Sequence, residues 1–196
     1  MDVRDPLGIS TVLQLILPES RAMLLSIKEM EVRKLPFAET WKPGGFDFSD
    51  SGFIQTGPLT AQGVAELLPH TGGEVRVKGR VVTDLETECD RCLGRASFHI
   101  DVPFDLFYRP ADSADKEEEA AIDEGEAEIG FYELPGLVLE DILTEQVLLQ
   151  LPMQRICSES CKGICPICGA NRNETTCQCE AHPADDRWMA LKDINI

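Results

Sequence analysis

The stretch from Cys157 to Cys179 constrains this 196-residue chain more than any other, because it holds six of the eight cysteines. Their spacing is C-x3-C-x3-C-x2-C-x8-C-x-C, and its centre reads C-P-I-C-G at residues 165–169. Two thiolates separated by two residues can point at one zinc ion while the intervening backbone amides turn toward the sulfurs. Pro166 and Gly169 suit such a turn, since proline restricts φ and glycine permits a positive φ. The spacing therefore predicts a zinc site in this tail.

A structural tetrathiolate site needs only four of the tail cysteines, so the choice of ligands is open. The candidates are Cys157, Cys161, Cys165, Cys168, Cys177 and Cys179, with His182 as a weaker spare ligand. Cys165 and Cys168 form the central pair, and Cys177 with Cys179 would complete the site by closing a compact loop. Alternatively, Cys157 and Cys161 lie four residues apart, as on one face of a helical turn, and would supply the other half.

A further cysteine pair, Cys89 and Cys92, lies in the segment C-D-R-C-L-G between two stretches with strand character. A redox pair needs its first cysteine at a helix N-terminus, whereas this segment predicts a hairpin turn. Two interpretations remain: a second zinc half-site completed by two tail cysteines, or a purely structural turn. For all eight cysteines the alternatives are disulfides, which require an oxidising compartment and hence an export signal, and thiols that bind no metal.

Alternating apolar residues predict an antiparallel sheet with one solvated face. Between residues 74 and 82, the side chains of Val75, Val77 and Val81 share one face. The runs 85–89 and 98–108 continue the strand pattern, and His99 in the latter is predicted to face solvent. The predicted fold class is α+β, with an antiparallel sheet or small open barrel packed by one main helix and followed by a zinc-ribbon-like, Cys-rich tail.

The remaining elements follow from other patterns in the chain. Residues 137–151 show the three- and four-residue spacing of an amphipathic helix, which is predicted to cover the sheet, and residues 129–132 can form a strand. Residues 37–60 predict irregular chain with one short strand near Phe46 and Phe48, and residues 61–69 predict a brief helical turn.

These elements predict three parts of the chain. Residues 1–22 form an extension of uncertain structure, and residues 23–152 form the α+β core with a mobile acidic loop at 111–128. Residues 153–196 form the zinc-binding tail, which ends in a short helix capped by Asp185.

The chain is strongly acidic, with 35 Asp and Glu against 18 Lys and Arg and a net charge of −17. This charge argues against a general nucleic-acid coat protein and favours solubility or a basic partner. Residues 111–128 contain nine acidic side chains and one lysine, and too little apolar surface to offset the cost of ordering. This loop is either a solvated insertion or a binding segment for a basic protein.

The sequence predicts a cytoplasmic protein. No run of 18 apolar residues is present, so no membrane span is expected. Residues 6–17 look like the apolar part of a signal peptide, but Asp2, Arg4 and Asp5 precede them. A signal peptide has a positively charged start and a small-residue cleavage site, and neither is clear here.

Catalytic motifs are not found in the sequence. It contains no phosphate-cradling glycine loop, no H-E-x-x-H and no G-x-S-x-G, and its three histidines are scattered at positions 70, 99 and 182. A zinc site with more thiolates than it needs predicts a closed structural site, because catalytic zinc keeps a position for water. We therefore expect no enzymatic activity and no small-molecule substrate.

Several segments together resemble one family, and the resemblance covers residues from about Met23 to the C-terminus. They are V-K-G-R-V at 77–81, C-D-R-C-L at 89–93, the acidic insertion, the segment 143–152, C-K-G-I-C-P-I-C-G-A-N at 161–171 and a final D-R-W. Together they resemble the YceD family, described as large ribosomal RNA subunit accumulation proteins. The resemblance implies a non-enzymatic role in ribosome biogenesis that maintains the large-subunit (23S) rRNA. Arg172 departs from the pattern, since the family commonly has leucine there, and the first 22 residues have no counterpart.

Two mechanisms fit that role. In the first, the tail contacts 23S rRNA directly through Arg155, Lys162 and Arg172, although Glu159 and Glu174 leave this stretch nearly neutral once zinc is bound. In the second, which the overall charge favours, the acidic domain holds a basic ribosomal protein or assembly factor, and the rRNA contacts are auxiliary. The competing hypothesis is a zinc-stabilised protein-interaction module without an rRNA role.

Overall fold

The computed structural model describes residues 22–112 and 129–179. Residues 1–21 of the predicted extension, residues 113–128 of the acidic loop, His182 and the predicted terminal helix lie outside the described residues. The predicted domain boundaries therefore stay predictions. In the part that is described, no helix is both long and apolar enough to cross a membrane.

A twisted sheet with one main helix forms the described fold. In chain order the elements are β1 (Leu24–Ser26), α1 (Ile27–Met30), β2 (Leu35–Trp41), a 3-10 turn (Ser49–Ser51), β3 (Ile54–Gln55), β4 (Leu59–Leu67), β5 (Val75–Glu88), β6 (Arg95–Pro110), β7 (Ile129–Tyr132), β8 (Gly136–Val138) and α2 (Leu139–Leu149). The large sheet has the order β2-β4-β5-β6-β7, and β3 also pairs with β5. All of its pairs are antiparallel except β6 with β7, and β1 pairs separately with β8. The predicted α+β class is confirmed, with an open, mixed sheet.

The long β5–β6 hairpin is the centre of the sheet, and its alternation follows the sequence pattern. Val75, Val77 and Val81 are fully buried on the inner face, as predicted. The runs at residues 74–82 and 85–89 lie in one strand, because the period of two continues through Asp84 and β5 extends without interruption to Glu88. Asp84 faces outward, where its Oδ1 lies 2.7 Å from Nδ1 of His99. The side chain of His99 is 62% exposed, which confirms the prediction that it faces solvent.

The prediction of a helical turn at residues 61–69 is wrong. These residues belong mostly to β4, which pairs with β2 on one side and β5 on the other. Alanine, glutamate and leucine in this stretch favour a helix locally, but pairing with two neighbouring strands outweighs that preference. The strand pairing also requires a glycine at residue 63. Gly63 lies opposite Gly79 and under the ring of Phe37, and a Cβ there would collide with the carbonyl oxygen of Lys78.

The prediction of irregular chain at residues 37–60 is only partly correct. The stretch contains most of β2 and all of β3. Phe46 and Phe48 do not form a strand. They lie in the connecting loop, where both rings are buried and stack with centroids 6.1 Å apart.

The predicted main helix is present, but it is shorter than expected. It spans Leu139–Leu149 instead of residues 137–151, because Leu137 and Val138 pair with β1 in β8. The buried face of α2 follows the three- and four-residue spacing of the predicted helix and consists of Leu139, Ile142, Leu143, Gln146 and Val147. The N–H of Met23 donates to the carboxylate of Glu140, at 2.9 and 3.0 Å, and ties the first described residues to α2.

Candidate metal centres

The described cysteines form two groups of four. The proximal cluster consists of Cys89, Cys92, Cys157 and Cys161, and the distal cluster consists of Cys165, Cys168, Cys177 and Cys179. Within each cluster the four Sγ atoms all lie within 4.8 Å of one another. All eight cysteines are free thiols, so the alternative of disulfides does not describe this structure.

The distances between sulfurs fit a tetrathiolate metal site. Four thiolates about 2.3 Å from a central zinc ion, at tetrahedral angles, place their sulfurs about 3.8 Å apart. In the proximal cluster, the Sγ atoms of Cys92 and Cys157 are 3.6 Å apart, and those of Cys89 and Cys161 are 3.9 Å apart. These separations are far longer than the roughly 2.05 Å of a disulfide. Each cluster therefore offers a closed set of four soft donors suited to a thiophilic divalent ion.

The β5–β6 turn presents the first half of the proximal cluster. The N–H of Cys89 donates to the carbonyl oxygen of Gly94 at 2.7 Å, and the N–H of Leu93 donates to that of Cys89 at 2.9 Å. Leu93 itself has a φ of +59°. These bonds close a tight turn, and Cys89 and Cys92 are both buried within it.

The tail supplies the second half because its backbone is hydrogen-bonded to the same turn. The N–H of Asp90 donates to the carbonyl oxygen of Arg155 at 2.7 Å, and the N–H of Arg155 donates to Oδ2 of Asp90 at 2.8 Å. Farther along, the N–H of Ile164 donates to the carbonyl oxygen of Arg91 at 2.9 Å. These three bonds flank Cys157 and Cys161 and bring them to the hairpin.

The distal cluster is built within the tail alone. The N–H of Gly169 donates to the carbonyl oxygen of Cys165, and the N–H of Cys165 donates to that of Ala170, both at 2.8 Å. Gly169 has a φ of +74°, the left-handed conformation that the sequence pattern predicted. Only Cys165 is buried in this cluster, whereas only Cys157 is exposed in the proximal one.

Backbone amides favour the thiolate form of one cysteine in each cluster. Burial raises the pKa of Cys89, but amide hydrogen bonds from Cys92, Arg91 and Cys157 outweigh it and lower the pKa to about 6. Amides of Cys168 and Ile167 do the same for Cys165, whose pKa falls to about 6. In each pair the amides of the second and third residues after the cysteine donate to its sulfur, as expected of a zinc knuckle.

Neighbouring sulfurs raise the pKa of other cysteines in the two clusters. The thiols of Cys161 and Cys92 raise the pKa of Cys157 to about 12. Those of Cys168 and Cys165 raise the pKa of Cys179 to about 12. Four thiolates this close repel one another, and a divalent cation at the centre would offset that repulsion.

The structure resolves which cysteines lie together, a question that the sequence left open. Cys165 and Cys168 are joined by Cys177 and Cys179, the first of the two alternatives. The remaining tail pair joins Cys89 and Cys92, as the interpretation of a second half-site required. Metal binding at either cluster stays a prediction, as does the identity of the metal.

The three cations proposed for RNA contact do not form one surface. Lys162 and Arg172 are exposed and line a depression of about 260 Å³ beside the distal cluster. Arg155 is half-buried, and its guanidinium lies 5.6 Å from the centroid of the Phe53 ring. It therefore contributes to the attachment of the tail to the core.

This difference predicts separate effects of the three cations on stability. We expect Arg155→Ala to lower the free energy of unfolding by about 1 kcal/mol, because it removes the cation–π contact with Phe53. Chemical denaturation of the full chain measures this loss. Lys162→Ala and Arg172→Ala are the controls and should change stability by less than about 0.5 kcal/mol. Equal stability of all three variants would contradict the structural role of Arg155.

Comparison with known proteins adds a family and several relatives. The family described as "Large ribosomal RNA subunit accumulation protein YceD" matches residues 77–195, a range that contains both clusters. Uncharacterized proteins of Mycobacterium tuberculosis (strain H37Rv) and Mycobacterium bovis are each 32% identical to this chain over 96 residues. The match covers 48% of this chain and 44% of each relative, so the chain aligns with less than half the length of these relatives. No solved structure matches the chain.

Proposed function

Because the chain belongs to the YceD family of large ribosomal RNA subunit accumulation proteins, we propose that it supports the accumulation of 23S rRNA as a non-enzymatic factor in ribosome biogenesis. We place it in the cytoplasm, where the reducing environment keeps cysteines available for metal. The metal at each cluster is proposed to be zinc. The donor sets suit this ion, since four thiolates close its coordination shell and leave no position for a reacting water.

The proposed mechanism is the binding of a basic ribosomal protein or assembly factor. The net charge of −17 is the observation that carries this mechanism. A tetrathiolate holding a divalent ion has two further negative charges, so both loaded clusters make the protein more acidic still. The negative charge of the protein accelerates its encounter with a basic partner, because the two charges are complementary. The same negative charge disfavours unspecific contact with the phosphates of the rRNA backbone.

Direct rRNA contact is an auxiliary part of the proposal and depends on Lys162 and Arg172. Both are exposed and lie at one depression, but Glu174 is exposed nearby in sequence and the distal cluster adds negative charge when loaded. A surface with two cations makes few phosphate contacts, and its affinity falls steeply with salt. It can orient an rRNA segment beside a bound protein, but it cannot hold the rRNA alone.

The metal clusters have a structural role in this proposal. The proximal cluster joins the β5–β6 turn to the tail, and the distal cluster shapes the part of the tail that presents Lys162 and Arg172. Structural zinc sites of this kind contribute about 10–16 kcal/mol of apparent binding free energy, which is used in folding. The clusters thereby give the binding surfaces a fixed shape without chemistry of their own.

The test combines gene removal with complementation. We expect loss of the gene to lower 23S rRNA, and the intact gene to restore it. A variant that carries amides in place of the nine carboxylates of residues 111–128 should capture fewer ribosomal proteins in low-salt affinity purification. The control for that variant is the parent chain, in which residues 111–128 have the same length and keep their carboxylates. The double variant Lys162→Ala/Arg172→Ala should still capture most of the ribosomal protein that the parent captures.

The opposite results separate the alternatives. If the double variant abolishes rRNA association and the amide variant changes nothing, direct rRNA binding is the mechanism and the protein partner is wrong. If 23S rRNA is unchanged without the gene and no ribosomal protein or assembly factor is recovered, the protein is an interaction module with no rRNA role.

A further inference from the structure

A concave surface of about 450 Å³ lies at the turn end of the β5–β6 hairpin, on the outer face of the sheet. We call it the hairpin depression, and its chemically distinctive lining residues are Ile54, Glu86, Glu88, Leu93 and Arg95. Strand pairing brings four of them together, because Ile54 is the partner of Glu86 between β3 and β5, and Glu88 is the partner of Arg95 between β5 and β6. Leu93 lies in the turn between β5 and β6. The depression is therefore built on paired strands and the hydrogen-bonded turn that joins two of them.

Two apolar residues of the depression, Ile54 and Leu93, are exposed, although apolar side chains are more often buried. Ile54 is 67% exposed, while its neighbour Gln55 is 4% exposed. Gln55 is held inside by hydrogen bonds, since its Oε1 accepts from the N–H of Phe46 at 2.9 Å and its Nε2 donates to the carbonyl oxygen of Gly57 at 2.8 Å. The short strand thus buries its amide and presents its isoleucine to the depression.

Leu93 is the second exposed apolar side chain, and its backbone is unfavourable for leucine. Its φ of +59° is a left-handed conformation that glycine and asparagine adopt more readily. Gly169 has a similar φ of +74° at the matching position after Cys168, so the turn after each Cys-x-x-Cys pair sets this backbone. Glycine would adopt it without strain, yet this chain has a leucine that is 57% exposed, so burial does not offset the strain. A leucine in this position with its side chain exposed suggests a function for that side chain.

The charged residues that line the depression are two glutamates and one arginine, which give it a net charge of −1. Glu86 and Glu88 point to the same face of β5, as residues two apart in a strand do. Arg95 is the cation in the depression, but its Nε lies 3.4 Å from Oε2 of Glu86 and its side chain is 77% exposed. An exposed ion pair of this length contributes little, so a cation from outside can replace Arg95 at low cost. Cys92 of the proximal cluster directly precedes Leu93, and this cluster adds negative charge when loaded.

We propose that the hairpin depression is the docking site for a basic segment of a protein partner. An apolar side chain of that segment rests between Ile54 and Leu93, and flanking lysine or arginine side chains pair with Glu86 and Glu88. This inference rests on the proposed function in that the partner is a basic protein. RNA does not fit the site, because its phosphates would face two carboxylates.

The test uses the full, metal-loaded chain and a defined probe, a fluorescent octapeptide of lysines with one central leucine. Two matched probes carry serine in place of the leucine, or glutamates in place of the lysines. Fluorescence anisotropy should show that the parent binds the leucine probe more tightly than the serine probe, and binds the glutamate probe weakly. The leucine preference separates docking from the general attraction of an acidic protein for lysine.

Leu93→Gly is the decisive variant because glycine fits the backbone at this position. We expect unchanged metal content and a thermal stability at least equal to that of the parent. The affinity for the leucine probe should fall roughly tenfold, with loss of the preference over serine. Ile54→Ser should give the same loss, and Glu88→Gln should weaken both lysine probes. Val32→Ser is the control, since Val32 is 85% exposed and lies outside the depression.

The proposal is overturned if the parent shows no leucine preference, or if Ile54→Ser and Leu93→Gly bind like the parent. If Leu93→Gly fails to fold, Ile54→Ser alone decides. An RNA oligonucleotide that binds the parent and loses affinity in both variants would identify an RNA surface and would also overturn the proposal. These outcomes leave the effect of gene removal on 23S rRNA untouched, so the failure of the docking site and of the proposed function can be told apart.

Discussion

Replacing Cys92 with serine is expected to remove one of two bound metal ions and to release the tail from the β5–β6 turn. Cys92 and Cys89 are the only contribution of the hairpin to the proximal cluster, and three of the four sulfurs there are buried among the described residues. A serine hydroxyl does not replace a thiolate as a zinc ligand at neutral pH. The three remaining thiolates would then repel one another without full compensation.

The expected loss is large because binding free energies of about 10–16 kcal/mol are typical of such zinc sites. Metal analysis should give two equivalents for the parent and one for Cys92→Ser. Limited proteolysis should then cleave the variant in the tail, near residues 153–160, and thermal unfolding should begin at a lower temperature.

Cys168→Ser in the distal cluster is the matched control. It should also lose one metal equivalent, but the proximal cluster would persist, as would the backbone hydrogen bonds that join Asp90 to Arg155 and Arg91 to Ile164. We therefore expect a smaller change in the thermal unfolding of the core than for Cys92→Ser. A parent that binds one metal or none, or a Cys92→Ser variant that keeps two, would contradict the assignment of two sites.

The second large effect concerns the main helix. Leu143→Ala should lower the free energy of unfolding by about 2–5 kcal/mol, because Leu143 has no exposed surface and its truncation leaves a cavity under α2. Such a loss is a large part of the 5–15 kcal/mol that stabilises a typical domain. Urea denaturation followed by far-ultraviolet circular dichroism measures it.

Leu149→Ala provides the control on the same helix. Leu149 is 67% exposed, so the same substitution should change stability by less than about 0.5 kcal/mol. Equal losses for the two leucines would mean that α2 does not pack on the sheet as described.

Local sequence patterns were sufficient to predict which residues are buried where a residue's environment depends on its near neighbours in the chain. Val75, Val77 and Val81 alternate with charged residues, and this period of two predicted the buried face of β5. The spacing of Leu139, Ile142 and Leu143 predicted the buried face of α2 in the same way. The local preference for a helix gave a wrong prediction in β4, because pairing with a strand on each edge outweighs the helical tendency of its residues.

The amino-acid sequence by itself determined the hairpin, the main helix and the supply of eight thiols in pairs whose spacing suits one metal ion. Only the tertiary structure decided how those pairs combine, because Cys92 and Cys157 are 65 residues apart and local spacing carries no information on such a contact. The same holds for Arg155, which packs on Phe53, and for Ile54, which faces outward because the amide of Gln55 finds its partners inside. Each depends on long-range hydrogen bonds and packing, which place residues by the free energy of the whole fold.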